Sequence, residues 1–370
     1  MLRTFFYPPG RERNPGLEGL RAFAVWLVFC VHVAGTFAAE SLHLNLDHVR
    51  AVELQDGFAL FVSWVFRSHY GVQIFFVLSG FLICRLVLDR RGFAYGPYLL
   101  RRVLRIYPAF LLSLVVALAA SAVLRPGFSV EAKTLMANLV FLNGVPEFGF
   151  VGYNAVSWSL FYELAFYLVF PALAYFPARS VAARAGVILV VSLLLGWGPL
   201  GFGYVRGAAM PFAAGAILAL KPDAALARWA QRVPQWAVLA LYLASTTALW
   251  GGILGEDAFA AVFPVAATGL ALHAGYGEGW LGRAFRLAPV RALGNVSYSF
   301  YLLHVWAVIS VTAFVRASLP QGLLGFALLG GVSFGLALAA SALSFRATEY
   351  PYFSWARRPT VRATAQEPRG

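Results

Sequence analysis

Residues 20–39 read LRAFAVWLVFCVHVAGTFAA, an apolar run interrupted by only two ionisable side chains, Arg21 and His32. A run of about 20 such residues is long enough to cross a bilayer as a helix. The two side chains stand eleven residues apart, three turns plus about 20°, so they share one face, about 16 Å apart along the axis. Ionisable groups inside a span are expensive and by default mark a functional pathway. The run is longer than the apolar core of a signal peptide, and Arg21 and His32 would be out of place in one, so it reads as a retained span.

The rest of the chain has the same character. Of its 370 residues, 60% are hydrophobic and 12% charged, with a mean hydropathy of +0.72. A soluble domain carries about twice that share of charge. Short alternating segments of the kind a β-barrel needs are absent. The apolar runs predict ten spans, at about 20–39, 70–88, 105–124, 158–176, 185–198, 204–220, 236–254, 257–275, 293–315 and 322–345. The fifth is short and ends in Gly196-Trp197-Gly198-Pro199.

The net charge of +13 invites a nucleic-acid reading, but its distribution argues against one. With the N-terminus inside, 22 of the 29 Lys and Arg residues fall in cytoplasmic segments and six on the other side, with Arg21 at the inner end of the first span. That bias predicts an all-α, polytopic membrane helix bundle of about ten transmembrane helices with both termini cytoplasmic. Two outer loops are long enough for structure of their own: residues 40–69, with room for a short interfacial helix, and 125–157, with a helical stretch from Val130 to Phe141. Cys30 and Cys84 both lie in spans, so neither a disulfide framework nor a CxxC metal site is expected.

Four constellations carry chemistry. Arg21 suits lipid phosphates as a snorkelling residue, while His32 is either a buried polar residue bonded to a neighbouring helix or, as an imidazole inside a span, a proton-transfer group near neutrality. Tyr98 to Pro108 holds Arg101, Arg102 and Arg105. Arg101 and Arg105 lie on one helical face, and three forked guanidiniums fit either simple cytoplasmic charge or phosphate recognition. Ser157 to Glu163 opens the fourth span from outside and sets Glu163 about one turn in. Such a carboxyl is either held near neutral in an interfacial niche, or meets His32 and orients it, or binds an acceptor hydroxyl. Ser79-Gly80, mid-span, permits close helix packing or the passage of a thin ligand.

Together these residues resemble the acyltransferase-3 family of membrane O-acyltransferases. The resemblance rests on Gly19-Leu20-Arg21-Ala22 with His32, the Gly71–Ile83 stretch, and Arg101 to Pro108. It continues through Trp158-Ser159-Leu160 with Glu163, Leu293-Gly294-Asn295-Val296-Ser297-Tyr298-Ser299 leading to His304, and Glu349-Tyr350-Pro351. It implies catalytic roles for His32, Arg21 and Glu163, and donor binding by Arg101, Arg102 and Arg105. By the same resemblance Trp158, Ser159, Tyr162 and His304 contact substrate. It also implies no bound cofactor, acyl-CoA (acetyl-CoA by default) as donor substrate, and a hydroxyl of a glycan or lipid-linked sugar as acceptor. Two departures stand out: Gln73 occupies a position where aspartate is common, and no room remains for the additional soluble domain that many members carry.

The expected organisation is a transmembrane acyltransferase domain over residues 1–353 and a basic, disordered cytoplasmic tail over 354–370, set among the lipids of the cytoplasmic (inner or plasma) membrane. CoA phosphates would sit on the arginines while the pantetheine arm rises past Arg21 to His32, which acts as base or carries the acyl group itself. The competing reading is a transporter or flippase with Arg, His and Glu on its pathway. The arginine cluster and the absence of evident inverted repeats favour the enzyme.

Overall fold

The computed structural model describes residues 3–9, 14–67, 70–88, 93–175, 180–197 and 204–355. A one-turn helix, α1 (Arg3–Phe6), precedes the long α2 (Pro15–Ser41), which contains both Arg21 and His32. Asn14 starts α2: its side-chain oxygen accepts from the amides of Gly16 (3.1 Å) and Leu17 (3.2 Å), and Pro15 fills the first turn. The Asn14 amide also donates to Gly275 O at 2.8 Å, fixing where α2 enters the bundle.

There follow α3 (Gly57–Arg67), α4 (Gly71–Leu88), α5 (Tyr95–Leu124), α6 (Ala132–Leu139), α7 (Trp158–Tyr175) and α8 (Val181–Trp197). The chain continues through α9 (Val205–Ala219), α10 (Asp223–Arg232), α11 (Gln235–Trp250), α12 (Glu256–Tyr276) and α13 (Trp280–Phe285). It ends with α14 (Ala288–Asn295), α15 (Ser297–Val315), α16 (Gly322–Ser344), a π-helical turn at Phe345–Glu349 and α17 (Tyr350–Trp355). All regular elements among the described residues are helical.

Each of the ten apolar runs contains or overlaps a helix. Six helices among the described residues are long and apolar enough to cross a membrane, and a seventh is counted if the bent pair at α9–α10 is one span. That pair turns by 111°, and Arg85 holds the corner: its Nη2 donates to Lys221 O (2.6 Å) and Asp223 Oδ1 (2.8 Å). The chain is thus a multi-pass membrane protein. The tail beyond residue 355 lies outside the described residues, as do Arg11, Arg13, Arg90, Arg91 and Arg179, which entered the charge count.

Residues 40–69 and 125–157 each contain a helix, the second shorter than expected. Residues 40–69 contain α3, packed on α2. The stretch expected from Val130 to Phe141 narrows to α6, because Phe141 adopts a left-handed backbone (φ 62°) that no α-helix continues.

The core is set by backbone-to-backbone contact. A Cβ on Gly80 (α4) would lie 2.1 Å from Phe212 O, and one on Gly215 (α9) 1.9 Å from Val77 O. Gly80 is therefore a packing residue, while its neighbour Ser79 lines a cavity. At the start of α2, Glu18 (7% exposed) pairs with Arg291 of α14 at 3.3 Å. Breaking a buried pair from one side leaves the partner charge poorly solvated. Glu18→Ala should therefore cost about 3 kcal/mol and lower the thermal unfolding midpoint in detergent. An unchanged midpoint would show that the pair holds nothing together.

Candidate active site

α2 and α15 run side by side in the same direction. Arg21 shares a cavity with Ser297, Tyr298 and Tyr301, and His32 meets His304 farther along. His304 is fully buried, and its ring stacks on Phe300 at 6.0 Å between centroids. Its Nδ1 lies 2.8 Å from Tyr301 O and 3.1 Å from Phe300 O, while its Nε2 lies 3.1 Å from His32 Nδ1. His32 Nδ1 in turn lies 2.8 Å from Val28 O.

These contacts assign the protons. A carbonyl can only accept, so each Nδ1 that faces one carries the hydrogen. His304 then presents a bare Nε2 to the Nδ1–H of His32, which is shared between that nitrogen and Val28 O. In neutral His32 the lone pair resides on Nε2, and that is the atom able to take a proton or attack a carbonyl carbon.

Below the pair, toward the start of α2, is a cavity of about 60 Å³ edged by Arg21, Ser79, Arg105, Ser159, Glu163 and Tyr167, with Tyr298 and Tyr301 closing it. Tyr301 joins the cavity to the histidines: its Oη donates to Val156 O (2.8 Å) and lies 2.8 Å from Ser159 Oγ, and its ring packs on His304. Tyr298 Oη donates to Ile106 O at 3.0 Å, tying α15 to α5 beside Arg105.

The arginine cluster divides into different settings. Arg105 lines the cavity and lies over the Phe353 ring at 5.8 Å. Arg102 sits between the rings of Tyr98 (5.2 Å) and Tyr167 (5.1 Å), and Arg101 is half-buried one position earlier.

Glu163 is placed differently from the expectation that it orients His32. Tyr167 Oη donates to Glu163 Oε1, and Glu163 faces the cavity with Arg21 and Arg105, while the ring beside His32 is His304. Its helix, α7, packs against α4 so that the Glu163 and Tyr167 face turns to the arginines. His304 is thus brought to the catalytic candidate rather than set apart as a substrate contact. Ser159 lines the cavity. Tyr162 is committed to backbone: its Oη donates to Gly144 O (2.8 Å) and accepts from the Tyr204 amide (2.9 Å). Trp158 packs on Tyr204 at 4.7 Å, outside the cavity lining.

Of the three cavity tyrosines, Tyr167 and Tyr301 carry no signal in the sequence and Tyr298 only its place in the Leu293–Ser299 stretch, because aromatic residues crowd every span. Glu349 had a signal in Glu349-Tyr350-Pro351 but no role. It is 3% exposed in the π-turn and accepts from Ser299 Oγ at 2.7 Å, under the first turn of α15.

Comparison with known proteins identifies the family. A family model described as an acyltransferase domain matches residues 14–342. The chain is 32% identical over 184 residues to the acyltransferase MdmB of Streptomyces mycarofaciens, covering 48% of this chain and 43% of that protein. It is 25% identical over 392 residues to BcsY of Komagataeibacter xylinus, named as a membrane-bound transacylase, covering 98% and 88%. It is 28% identical over 187 residues to the peptidoglycan O-acetyltransferase OatA of Listeria monocytogenes, covering 46% and 25%. The chain thus spans less than half the length of MdmB and a quarter of OatA, though most of BcsY. No solved structure matches it. With the family match running from the cap of α2 to the last turn of α16, the chain belongs to the acyltransferase-3 family of membrane acyltransferases.

Proposed function

We propose that the chain transfers an acyl group, acetyl in the default case, from acyl-CoA on the cytoplasmic side of the cytoplasmic membrane to a hydroxyl of an extracytoplasmic glycan. The observation that carries this reading is the His32–His304 pair, whose contacts call for a hydrogen on Nδ1 of His32 and so put the lone pair of the neutral ring on Nε2. Relatives named as peptidoglycan O-acetyltransferases support a glycan acceptor.

In this reading His32 Nε2 takes the proton of the acceptor hydroxyl as its oxygen attacks the thioester carbonyl carbon. The C–S bond then breaks, the new ester leaves, and the departing CoA sulfur receives the proton from His32. While Nε2 is protonated, the Nδ1–H bonds to Val28 O and His304 Nε2 share the positive charge in a site with little water. Arg21, Arg105 and Arg102 draw the anionic donor toward the start of α2, and Glu163 with Tyr167 fixes the guanidinium positions rather than the imidazole.

At about 60 Å³ the cavity has room for one or two waters, so the pantetheine arm enters by displacing the Tyr167 or Tyr298 ring. Arg105→Ala is expected to raise KM for acetyl-CoA about tenfold with a smaller change in kcat, consistent with loss of a charge-assisted contact. The reverse pattern, a fall in kcat at constant KM, would move Arg105 from donor binding to the chemical step. The function itself is tested by mass spectrometry of surface glycans from cells with and without the gene. Loss of an O-acyl ester is the expected result, and an unchanged ester profile overturns the reading in favour of transport.

A further inference from the structure

A second and larger chamber, of about 790 Å³, opens among α3, α4, α9, α11 and α12, within the size range of small-ligand sites. It lies across α4 from the histidine pair. A Cβ on Gly71 would meet Ala24 O of α2 at 2.1 Å, so that face of α4 is turned to the catalytic helix. Gln73, two residues on and therefore about 200° around the helix, faces the chamber instead.

Its walls carry hydrogen-bond acceptors that lack an α-helical donor. Pro211 lies inside α9 and Pro264 inside α12, and an interior proline has no N–H for the carbonyl four residues earlier. Those carbonyls belong to Gly207 and Ala260, and both residues line the chamber. The Gln73 side-chain oxygen is buried there with no hydrogen-bond partner. Broken helical bonding at membrane depth is tolerated where it lines a polar cavity.

These acceptors call for a ligand that donates. Among the described residues no cluster of His, Cys, Asp or Glu could hold a metal ion, and the charges at the walls are mixed: Arg50, paired with Glu53 at 2.9 Å, Arg67 and Glu256. Hydroxyl groups match the uncharged acceptors without needing a net charge. Flat apolar surface is present as well: Tyr70 packs on Phe259 at 4.2 Å between centroids, and Trp250 is held in place by its Nε1 donating to Ser63 Oγ at 3.2 Å. Ring faces beside clustered acceptors fit a sugar, with its C–H faces and its ring of hydroxyl donors.

We propose that this chamber binds one or two sugar units of the acceptor glycan through Gln73 Oε1 and the freed carbonyls of Gly207 and Ala260. The proposal rests on the glycan-acceptor reading above and adds the place where the chain is gripped.

The test uses the full chain in lipid nanodiscs, titrated with N,N′-diacetylchitobiose, cellobiose and maltose by saturation-transfer NMR. At least one disaccharide is expected to bind. Gln73→Leu should weaken it about tenfold, as expected for an acceptor lost to a near-isosteric side chain. Ala260→Phe should abolish binding by filling the chamber, and His32→Ala should bind as the wild type does. Gln73→Leu changes shape little, and size-exclusion profiles identify any variant that fails to fold. Absence of binding by all three sugars, unchanged binding in the folded Gln73→Leu protein, or loss of binding in His32→Ala overturns the proposal. Acetyl-CoA turnover on the same samples separates the two readings. Turnover with unchanged binding in Gln73→Leu removes only the chamber, whereas sugar binding without turnover removes only the enzyme.

Discussion

His32→Ala is expected to reduce acyl transfer about 10³-fold while leaving a folded, monodisperse protein. The size of the loss follows from what a positioned general base contributes, about 10² to 10⁴, and from the lack of another suitable base beside it among the described residues. The neighbouring imidazole of His304 directs its own Nδ1 hydrogen into the carbonyls of Tyr301 and Phe300 and its Nε2 into His32, so it cannot turn toward substrate without breaking those bonds. Folding is spared because the change removes a half-buried side chain whose backbone bonds remain within α2. His304→Gln makes the comparison informative. It is expected to lose less, about tenfold to a hundredfold, since His32 keeps its bond to Val28 O, and its pH–rate profile should shift because the shared charge has lost its second acceptor. Thiol release from acetyl-CoA and ester formation are the measurements. Residual transfer within tenfold of wild type in His32→Ala would sink the assignment of the base.

The largest effect on folding is expected at the crossing of α4 and α9. A valine at position 215 places its Cβ where Val77 O and the Phe81 amide already stand, at 1.9 and 2.9 Å. Both obstructing atoms are main chain, so neither can rotate away and the helices must separate. Separation opens the contact around Phe212, which is fully buried between Phe76 (5.0 Å) and Phe166 (4.1 Å). Overpacking alone costs about 1–3 kcal/mol, and losing the aromatic contact brings the total to about 3–5. Gly215→Val should therefore yield little monodisperse protein, with Gly80→Val close behind. Gly335→Val, where a Cβ meets nothing within 4 Å, serves as the control and should behave as wild type. A thermal midpoint in Gly215→Val equal to that of the control would mean that this crossing does not hold the bundle together.

Much of this architecture is legible along the chain. Apolar length locates the helices because each must satisfy its own backbone bonds in lipid, and the eleven-residue spacing correctly puts Arg21 and His32 on the face that meets α15. The partner of His32 is not legible. His304 is 272 residues away, and its register against α2 depends on small-residue contacts such as Gly294 on Glu18 O, which no local period encodes. Glu163 illustrates the limit. Counting turns from the start of α7 gives its depth but not the rotation of the helix, which the packing of α7 on α4 decides and which turns the carboxyl to the arginines. Tyr162 illustrates another: a residue within a recognisable motif can serve to hold the loop at Gly144 rather than to touch substrate.

The tyrosine-lined cavity has a consequence for the cell's energetics. The proposed transfer from an inside donor to an outside hydroxyl risks opening a wire for protons, since each unit charge gains about 2.3 kcal/mol per 100 mV in crossing the membrane. A continuous water column between Arg105 and His32 would short-circuit that potential at every idle moment. With Tyr298 Oη bonded to Ile106 O and Tyr301 Oη bonded to Val156 O, the column is interrupted by two rings whose hydrogens are already directed into the backbone. In the proposed reaction the arriving donor displaces a ring here and occupies the opening as it makes it.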